Sequence, residues 1–294
     1  MSDILTKAMT KDGFFKIAAA VTTDTVNAAH TYHQTMPVAS AALGRLLTAG
    51  LLMADNLKEK DASLTLQMRG DGPLGTLVIV ADSQGGVKGY VANPAADLPL
   101  KENGKLDVGG GIGRGTLGVI RDLKLKEPYI GQVPIQTGEI GDDLAYYFMQ
   151  SEQIPSVVAL GVLVDRDYTI KSAGGLLIQV MPGCDEKSLS MLENSIQGMM
   201  SVTEMLNHGM NAKDMIEYAM LDFDVEFLED IEIGYRCNCS RDRMERAIVS
   251  LGKQEIQDMI AEQGDAEIVC QFCNQAYRFT GEELSMLVEK ATRK

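Results

Sequence analysis

The chain has 294 residues, with 27 Lys or Arg and 41 Asp or Glu, so its formal net charge is −14. Hydrophobic residues make up 45% and charged residues 23%, which are the proportions of a folded globular protein and exclude a disordered chain. The negative charge also argues against general nucleic-acid binding and against docking on an anionic membrane, since both need clustered Lys and Arg.

The N-terminal sequence predicts no export signal, because MSDILTKAMTKDG lacks a basic segment followed by an apolar run. The longest apolar stretch, residues 154–164, is interrupted by Pro155 and is too short to span a bilayer. We therefore expect a cytoplasmic protein in a reducing compartment. In that setting, pairs of Cys more often bind metal or act in redox chemistry than form structural disulfides.

Residues 1–182 predict one α+β domain, in which apolar segments of strand character are interspersed with a few helices. The predicted strands cover residues 14–22, 63–68, 75–81, 86–91, 117–123, 129–135, 157–164 and 175–181. The predicted helices cover residues 23–33, 36–57 and 142–153.

Residues 183–234 predict a helical, Met-rich linker, with helix over 186–220 and a break near His208. Seven of the 17 Met lie there: Met191, Met199, Met200, Met205, Met210, Met215 and Met220. Met-rich surfaces adapt to many partners, whereas the simpler interpretation is ordinary packing against the first domain. The two interpretations are compatible if the Met-rich surface is packed in one state of the protein and exposed in another. The acidic run 222–232 predicts a solvated face.

Residues 235–294 contain the strongest signal, a Cys237-x-Cys239 pair and a Cys270-x-x-Cys273 pair separated by 30 residues. Two such pairs supply the four soft donors of a closed tetrahedral zinc site, which is structural because no ligand position stays open. The three His, at positions 30, 33 and 208, all lie upstream. The alternative is four reduced Cys buried as small apolar residues. The segment is thus predicted to be a zinc-binding domain.

The chemistry of these Cys also suggests a redox switch. Zinc-bound sulfurs are thiolates, which oxidants attack, and oxidation to two disulfides would remove all four ligands together. Loss of the metal would remove an apparent stabilisation of about 10–16 kcal/mol. A domain of this size could not easily lose that stabilisation without unfolding. The remaining alternative is a constitutive zinc ribbon, as in many nucleic-acid-binding proteins.

Other motifs predict no catalytic function. Residues 113–118 match G-x-G-x-x-G, but a predicted strand follows where a dinucleotide site needs a helix, so a turn between strands is expected. Neighbouring carboxylates should disfavour the thiolate of Cys184, which we interpret as a bystander. His30 and His33 lie on a predicted helix without recognisable catalytic partners, and no hydrolase or P-loop motif occurs. We therefore predict a protein that is not an enzyme.

The sequence resembles the redox-regulated heat-shock chaperonin family, the thirty-three-kilodalton heat-shock proteins. The likeness is carried by the contexts YRCNCSRDR and EIVCQFCN around the four Cys. It extends to QTMPVASAALGRLLTAGLLMA, LTLQMRGDGPLGTLVIVAD and AGGLLIQVMPG, so it spans essentially the whole chain.

This resemblance implies an N-terminal α+β domain, a helical linker and a C-terminal domain with one Zn²⁺ bound in the reduced state. It implies that Cys237, Cys239, Cys270 and Cys273 are both metal ligands and redox sensors, which on oxidation form the disulfides Cys237–Cys239 and Cys270–Cys273. Zinc then leaves, the C-terminal domain and linker unfold, and the protein becomes a homodimer. It binds unfolding client proteins without ATP and prevents their aggregation under oxidative stress.

Two other functions compete with this hypothesis. The first is a zinc ribbon that binds nucleic acid, although residues 236–294 carry nine basic and ten acidic residues and so offer phosphate no net attraction. The second is a nucleotide-dependent enzyme in the first domain, suggested only by the glycine motif. We expect neither nucleic acid nor membrane as a partner.

Overall fold

The computed structural model describes residues 2–57, 59 and 61–292, and the chain divides into two compact units. The N-terminal unit is Met1–Arg236 and the C-terminal unit is Cys237–Lys294. The predicted domains begin at Met1 and end at Lys294, two residues that lie outside the described part. The α+β class predicted from the sequence is confirmed.

The N-terminal unit contains two sheets. A five-stranded antiparallel sheet has the order β10-β1-β2-β9-β8, and a six-stranded sheet has the order β11-β5-β4-β3-β6-β7, in which only the β11–β5 pair is parallel. Their strands are β1 Ile4–Thr10, β2 Phe15–Val21, β3 Ser63–Gly70, β4 Thr76–Asp82, β5 Gly86–Val91, β6 Gly115–Asp122, β7 Tyr129–Pro134, β8 Ser156–Val164, β9 Ile170–Val180, β10 Val225–Glu232 and β11 Gly234–Tyr235.

Seven α-helices accompany these sheets in the described part of the N-terminal unit. They are α1 Thr23–His33, α2 Pro37–Ala54, α3 Val108–Ile112, α4 Ile140–Tyr147, α5 Glu186–Gln197, α6 Val202–Asn207 and α7 Ala212–Ala219. A short π-helix, Phe148–Glu152, continues α4 and completes the helix predicted over 142–153. Gly115–Asp122 is a strand, so the glycine motif leads into β6 and not into a nucleotide-binding helix.

Helix α2 forms the centre of the first apolar cluster, where it packs against strands of both sheets. Every residue of α2 except Pro37 and Arg45 is buried, and a Cβ at Gly50 would overlap the Ile79 side chain of β4. By its length and composition alone, α2 could also cross a membrane, although the sequence analysis above did not single it out. A core helix of a globular protein can have the same length and composition, and 89% of the 18 residues of α2 are buried inside the protein.

The second apolar cluster lies on the other face of the five-stranded sheet. Alternation along β2 directs Ala18 and Ala20 toward the first cluster, and Ile17 and Ala19 toward the second. Helices α5, α6 and α7 cover this second face. The buried members of the second cluster are Ala8, Phe15, Ile17, Ala19, Leu176, Ile178, Leu192, Val202, Met205, Ala212, Met215, Ile216, Ala219 and Met220. Because both faces of the sheet are covered, β2 and β9 are apolar almost throughout.

The segment predicted as a helical, Met-rich linker is helical only up to Ala219, and its acidic part forms β10 along the edge of β1. Backbone pairing with β1 gives these residues a partner that their own sequence does not reveal. Three of the seven Met, at positions 205, 215 and 220, are fully buried in the second cluster, and none of the seven is exposed. In this structure three of the Met are core residues, and Met199, Met200 and Met210 pack against the same cluster as partly buried residues.

The C-terminal unit consists of three helices and one hairpin in its described part. The elements are α8 Arg241–Leu251, α9 Lys253–Gln263, β12 Ala266–Val269, β13 Ala276–Phe279 and α10 Gly281–Thr292. Helices α8 and α9 fill the spacer between the two Cys pairs, where residues 242–262 have a helical pattern in the sequence. The third apolar cluster, which is the core of this unit, has six buried residues: Ile248, Ile256, Ala266, Phe279, Leu284 and Leu287.

Candidate metal centre

The first Cys pair lies in the extended segment that begins the C-terminal unit and leads into α8. Ser240 caps this helix by accepting a hydrogen bond from the backbone N–H of Arg243, which fixes the position where the extended segment ends. The Arg243 guanidinium in turn donates to Asn238 Oδ1 at 2.7 Å. The residue between Cys237 and Cys239 is thus tied to the first turn of α8.

The second Cys pair lies in the tight turn between β12 and β13. The backbone N–H of Cys270 donates to the carbonyl of Gln275 at 3.0 Å, and the N–H of Asn274 donates to the carbonyl of Cys270 at 2.8 Å. Asn274 has a φ of 56°, which Asn tolerates better than most residues. This turn brings the Cys270 and Cys273 side chains to the same end of the hairpin.

The four sulfur atoms lie within 4.8 Å of one another and form a group that could hold a metal ion. Cys237 Sγ is 3.7 Å from Cys270 Sγ, and Cys239 Sγ is 3.4 Å from Cys273 Sγ. A zinc ion with Zn–S bonds of about 2.3 Å separates its tetrahedral ligands by about 3.8 Å, so the observed spacing fits a Cys₄ zinc site with small adjustments. Cys270 is buried and the other three Cys are half-buried.

The thiols differ in acidity. Burial raises the pKa of Cys237, and burial together with hydrogen bonds to neighbouring thiols raises the pKa of Cys273. Burial also opposes ionisation of Cys239, but hydrogen bonds from Tyr277 and from the other thiols outweigh it and lower the pKa of Cys239 to about 7. Cys239 therefore loses its proton before Cys237 and Cys273. Metal binding needs thiolates and so releases the remaining protons.

Tyr277 completes the surroundings of the cluster, and sequence reasoning did not find it. Its hydroxyl donates a hydrogen bond to Cys239 Sγ at 3.1 Å, and this bond raises the pKa of Tyr277 to about 12. Groups that donate to ligand atoms orient them and tune the metal they bind. The only sequence signal was the proximity of Tyr277 to Cys273, which does not distinguish a hydrogen-bonding Tyr from a packing one.

The other residues singled out from the sequence belong to the N-terminal unit. Cys184 is half-buried, its thiol faces the backbone carbonyl of Asp185 at 3.6 Å, and burial and the charges of Asp185 and Asp12 raise its pKa. His33 is buried with Nε2 2.9 Å from the Gly89 carbonyl, and His30 Nδ1 lies 3.2 Å from Thr35 Oγ1. Both His thus have structural partners.

Fold and site together define a class of protein: an α+β domain joined to a small domain whose four Cys form a compact sulfur cluster. Comparison with known proteins gives the family. Residues 3–280 match the family model of the Hsp33 protein. The chain belongs to the Hsp33 family, whose members are chaperonins.

Individual relatives match over their full length. The chain is 48% identical to the 33 kDa chaperonin of Clostridium acetobutylicum over 292 residues, which cover 99% of this chain and 98% of that protein. It is 49% identical to the 33 kDa chaperonin of Clostridium botulinum over 290 residues, or 98% of each chain. Among solved structures, the 33 kDa chaperonin from Thermotoga maritima has a TM-score of 0.93 at 37% identity, with both chains covered completely.

Proposed function

We propose that this chain is a redox-regulated, ATP-independent chaperone that binds unfolding proteins once its four-Cys cluster is oxidised. The observation that carries the proposal is the sulfur cluster itself, with four Sγ atoms within 4.8 Å, in a unit whose described residues provide an apolar core of six buried side chains. A domain with so small a core needs another source of stability. The relatives are named chaperonins, which supports the proposal that this chain binds client proteins.

In the reduced protein, Cys237, Cys239, Cys270 and Cys273 would hold one Zn²⁺. The metal would supply a crosslink between the segment before α8 and the β12–β13 turn. Tyr277 keeps its hydrogen bond on Cys239, and the capped start of α8 fixes the first pair. The six apolar residues of the third cluster then pack around a framework that the four thiolates hold closed.

Oxidation would proceed at the sulfur atoms. A Cys thiolate attacks one oxygen of hydrogen peroxide, which breaks the O–O bond, releases hydroxide and forms a sulfenic acid. A neighbouring thiolate then attacks that sulfur, the S–S bond forms and a second hydroxide leaves. In sum, two thiols and one peroxide give one disulfide and two waters. With the pairing that the family resemblance implies, the products are Cys237–Cys239 and Cys270–Cys273.

Those two disulfides join residues that are already neighbours in the sequence, so they no longer connect the two segments of the C-terminal unit. With no thiolate left, the site would lose its metal, and the unit would unfold together with residues 183–234. Release of this linker would expose the Met and aliphatic side chains of the second cluster. Flexible Met side chains suit clients of varied shape. We expect a cytoplasmic homodimer in this active state.

The direct test is a light-scattering assay with a thermally unfolding client. Protein treated with peroxide and freed of zinc should suppress aggregation, and the reduced zinc-bound protein should not. The same samples should change from one zinc and five thiols to no zinc and about one thiol, that of Cys184, because the four ligands are consumed in pairs. If oxidised, zinc-free protein protects the client no better than reduced protein, the proposal is wrong.

A further inference from the structure

Strand β10 is attached to the edge of the five-stranded sheet by an unusual set of contacts. Its eight residues pair with β1 from Ile4 opposite Glu232 to Thr10 opposite Val225, with one register shift after Lys7. None of the eight is buried. The strand therefore gains most of its attachment from the backbone ladder and from polar side chains.

The side-chain contacts of β10 combine ion pairs with two partly buried apolar residues, Val225 and Ile231, which pack against the second and the first apolar cluster. Lys7 Nζ lies 3.0 Å from Glu229 Oε2, Thr6 Oγ1 donates to Asp230 Oδ1 at 2.8 Å, and Lys213 Nζ lies 2.7 Å from Asp230 Oδ2. The strand carries four acidic residues and no basic one. Ion pairs with exposed partners contribute little to stability, so β10 belongs to the part of the unit that opens most easily.

Strand β1, in contrast, is anchored on both faces of its sheet. Leu5 is buried in the first apolar cluster, Ala8 is buried in the second, and the strand pairs with β2 on its other side. Lys7 also pairs with Asp55 at the end of α2, whose carboxylate is 2% exposed. If β10 leaves, β1 stays in place and presents a row of unpaired N–H and C=O groups flanked by Lys7 and Lys11. Such an edge is a template for another strand.

We propose that this edge of β1 is a docking site for an extended segment of a client protein. The inference rests on the proposed function, because that function supplies the release of β10 on oxidation. In the reduced protein β10 occupies the site as the chain's own substitute for a client. The segment that fits is about seven residues long, free of Pro, and combines apolar residues with carboxylates that face Lys7 and Lys11. Main-chain pairing gives affinity and the charges select the segment.

The test uses a fluorescently labelled peptide of residues 222–233 as the probe and full-length protein as the receptor. A control peptide has the same side chains, but the amides of Glu229 and Asp230 carry N-methyl groups. Adjacent amides in a strand point in opposite directions, so one of the two must face β1. Fluorescence anisotropy should show saturable binding of the labelled peptide to oxidised protein. Its affinity should be roughly tenfold or more higher than its affinity for reduced protein, and higher by the same factor than the affinity of the control peptide for oxidised protein.

Hydrogen exchange locates the probe. Those amides of residues 4–10 that face β10 should lose protection on oxidation and regain it when the peptide is added, whereas those that face β2 should stay protected. The peptide should also reduce the suppression of client aggregation. If oxidised protein suppresses aggregation but binds both peptides equally or not at all, this inference is overturned and the proposed function stands. If oxidised protein fails to suppress aggregation, the proposed function itself fails. If the peptide instead splits an oxidised dimer, the edge serves a second copy, and the assignment to clients is wrong.

Discussion

The two units of this chain are stabilised in different ways. In the N-terminal unit, α2 is buried almost completely against two sheets, and a second cluster covers the opposite face of the five-stranded sheet. In the C-terminal unit, the described residues provide one cluster of six buried side chains, and a prominent contact there places the Arg241 guanidinium 4.4 Å from the Phe279 ring centre. The first unit can depend on apolar burial, whereas the second has too little of it.

The difference explains why a chemical event at four sulfur atoms could control one unit and leave the other folded. Apolar burial does not require a reduced thiolate, but a thiolate–metal bond exists only while the sulfur is reduced. The linker helices α5, α6 and α7 belong to the N-terminal unit, yet they pack through the smaller second cluster. If they are released on oxidation as proposed, the contacts of this second cluster are the ones that must break.

The largest effect should follow from the substitution Cys270→Ser, which removes the most buried of the four clustered thiols. Under reducing conditions, zinc binding should be lost and with it an apparent stabilisation of about 10–16 kcal/mol. Limited proteolysis should then cut within residues 237–292 while the strands around α2 resist. The matched control is Cys184→Ser, which should keep its zinc and its resistance. A protease-resistant C-terminal unit in Cys270→Ser would remove the contrast between the two units.

The next largest effect concerns the second cluster. Met205 in α6 is fully buried there, and Met205→Ala should cost about 2–5 kcal/mol through lost contacts and a residual cavity. Because that loss falls on the docking of the linker helices, we expect the reduced, zinc-bound variant to suppress client aggregation without oxidant. Met191→Ala in α5, at a half-buried position, should behave like the parent protein. A Met205→Ala protein that is measurably less stable but inactive when reduced would separate linker docking from client binding.

The elements predicted correctly from the sequence are those whose own pattern carries the signal. Helix α2 and strands β2 to β8 are apolar because they face a core on one or both sides, so local composition sufficed. For β9, Ile170–Val180, only the part from residue 175 onward was predicted. Strand β10 was missed because its sequence VEFLEDIE is mostly acidic and its partner β1 is far away in the chain, with Thr6 and Asp230 separated by 224 positions. Strand β1 was missed as well, because Thr6, Lys7 and Thr10 give its short sequence ILTKAMT a polar character.

Part of the candidate site could likewise be predicted from the sequence, and part could not. Four Cys in two close pairs are visible in the sequence because metal ligation needs a fixed residue type at short spacing. The hydrogen bond from Tyr277 to Cys239 is not visible, because it depends on where β13 directs one side chain in three dimensions. The same is true of the capped start of α8, where Ser240 and Arg243 fix the segment that contains the first pair.

A smaller effect is expected from Tyr277→Phe, which removes one hydroxyl and leaves the ring. The loss of its hydrogen bond to Cys239 should weaken zinc affinity by roughly 10- to 100-fold, as for other groups that orient metal ligands. Competition with a chromophoric chelator measures the affinity, and Tyr129→Phe, at an exposed position in the N-terminal unit, serves as control. The C-terminal unit should still fold when zinc is in excess. Equal affinities for parent and variant would show that the four sulfurs alone determine the site.

The smallest effect tests the N-terminal unit, where an ion pair should matter less than burial. Burial raises the pKa of Glu139, but the hydrogen bond from Lys101 at 2.7 Å and the charge of Arg45 outweigh it, so the pKa lies below the ordinary value of 4.5. A carboxyl group with a lowered folded-state pKa stabilises the fold above its ordinary pKa and loses that contribution as pH falls through the folded-state value. Lys101 also lies 3.5 Å from Asp107, which adds a second carboxylate to the group.

Glu139→Gln should therefore lower the urea midpoint of the full-length protein at neutral pH, and the gap to the parent should close as pH falls below 4.5. The gap should be small, because Glu139 and Lys101 are 34% and 36% exposed and solvent screens their attraction. Glu127→Gln, at an exposed position, is the matched control. A gap for Glu139→Gln that persists unchanged at low pH would mean that the carboxylate acts through packing and not through its charge. The N-terminal unit would then depend on burial even at its most polar contact.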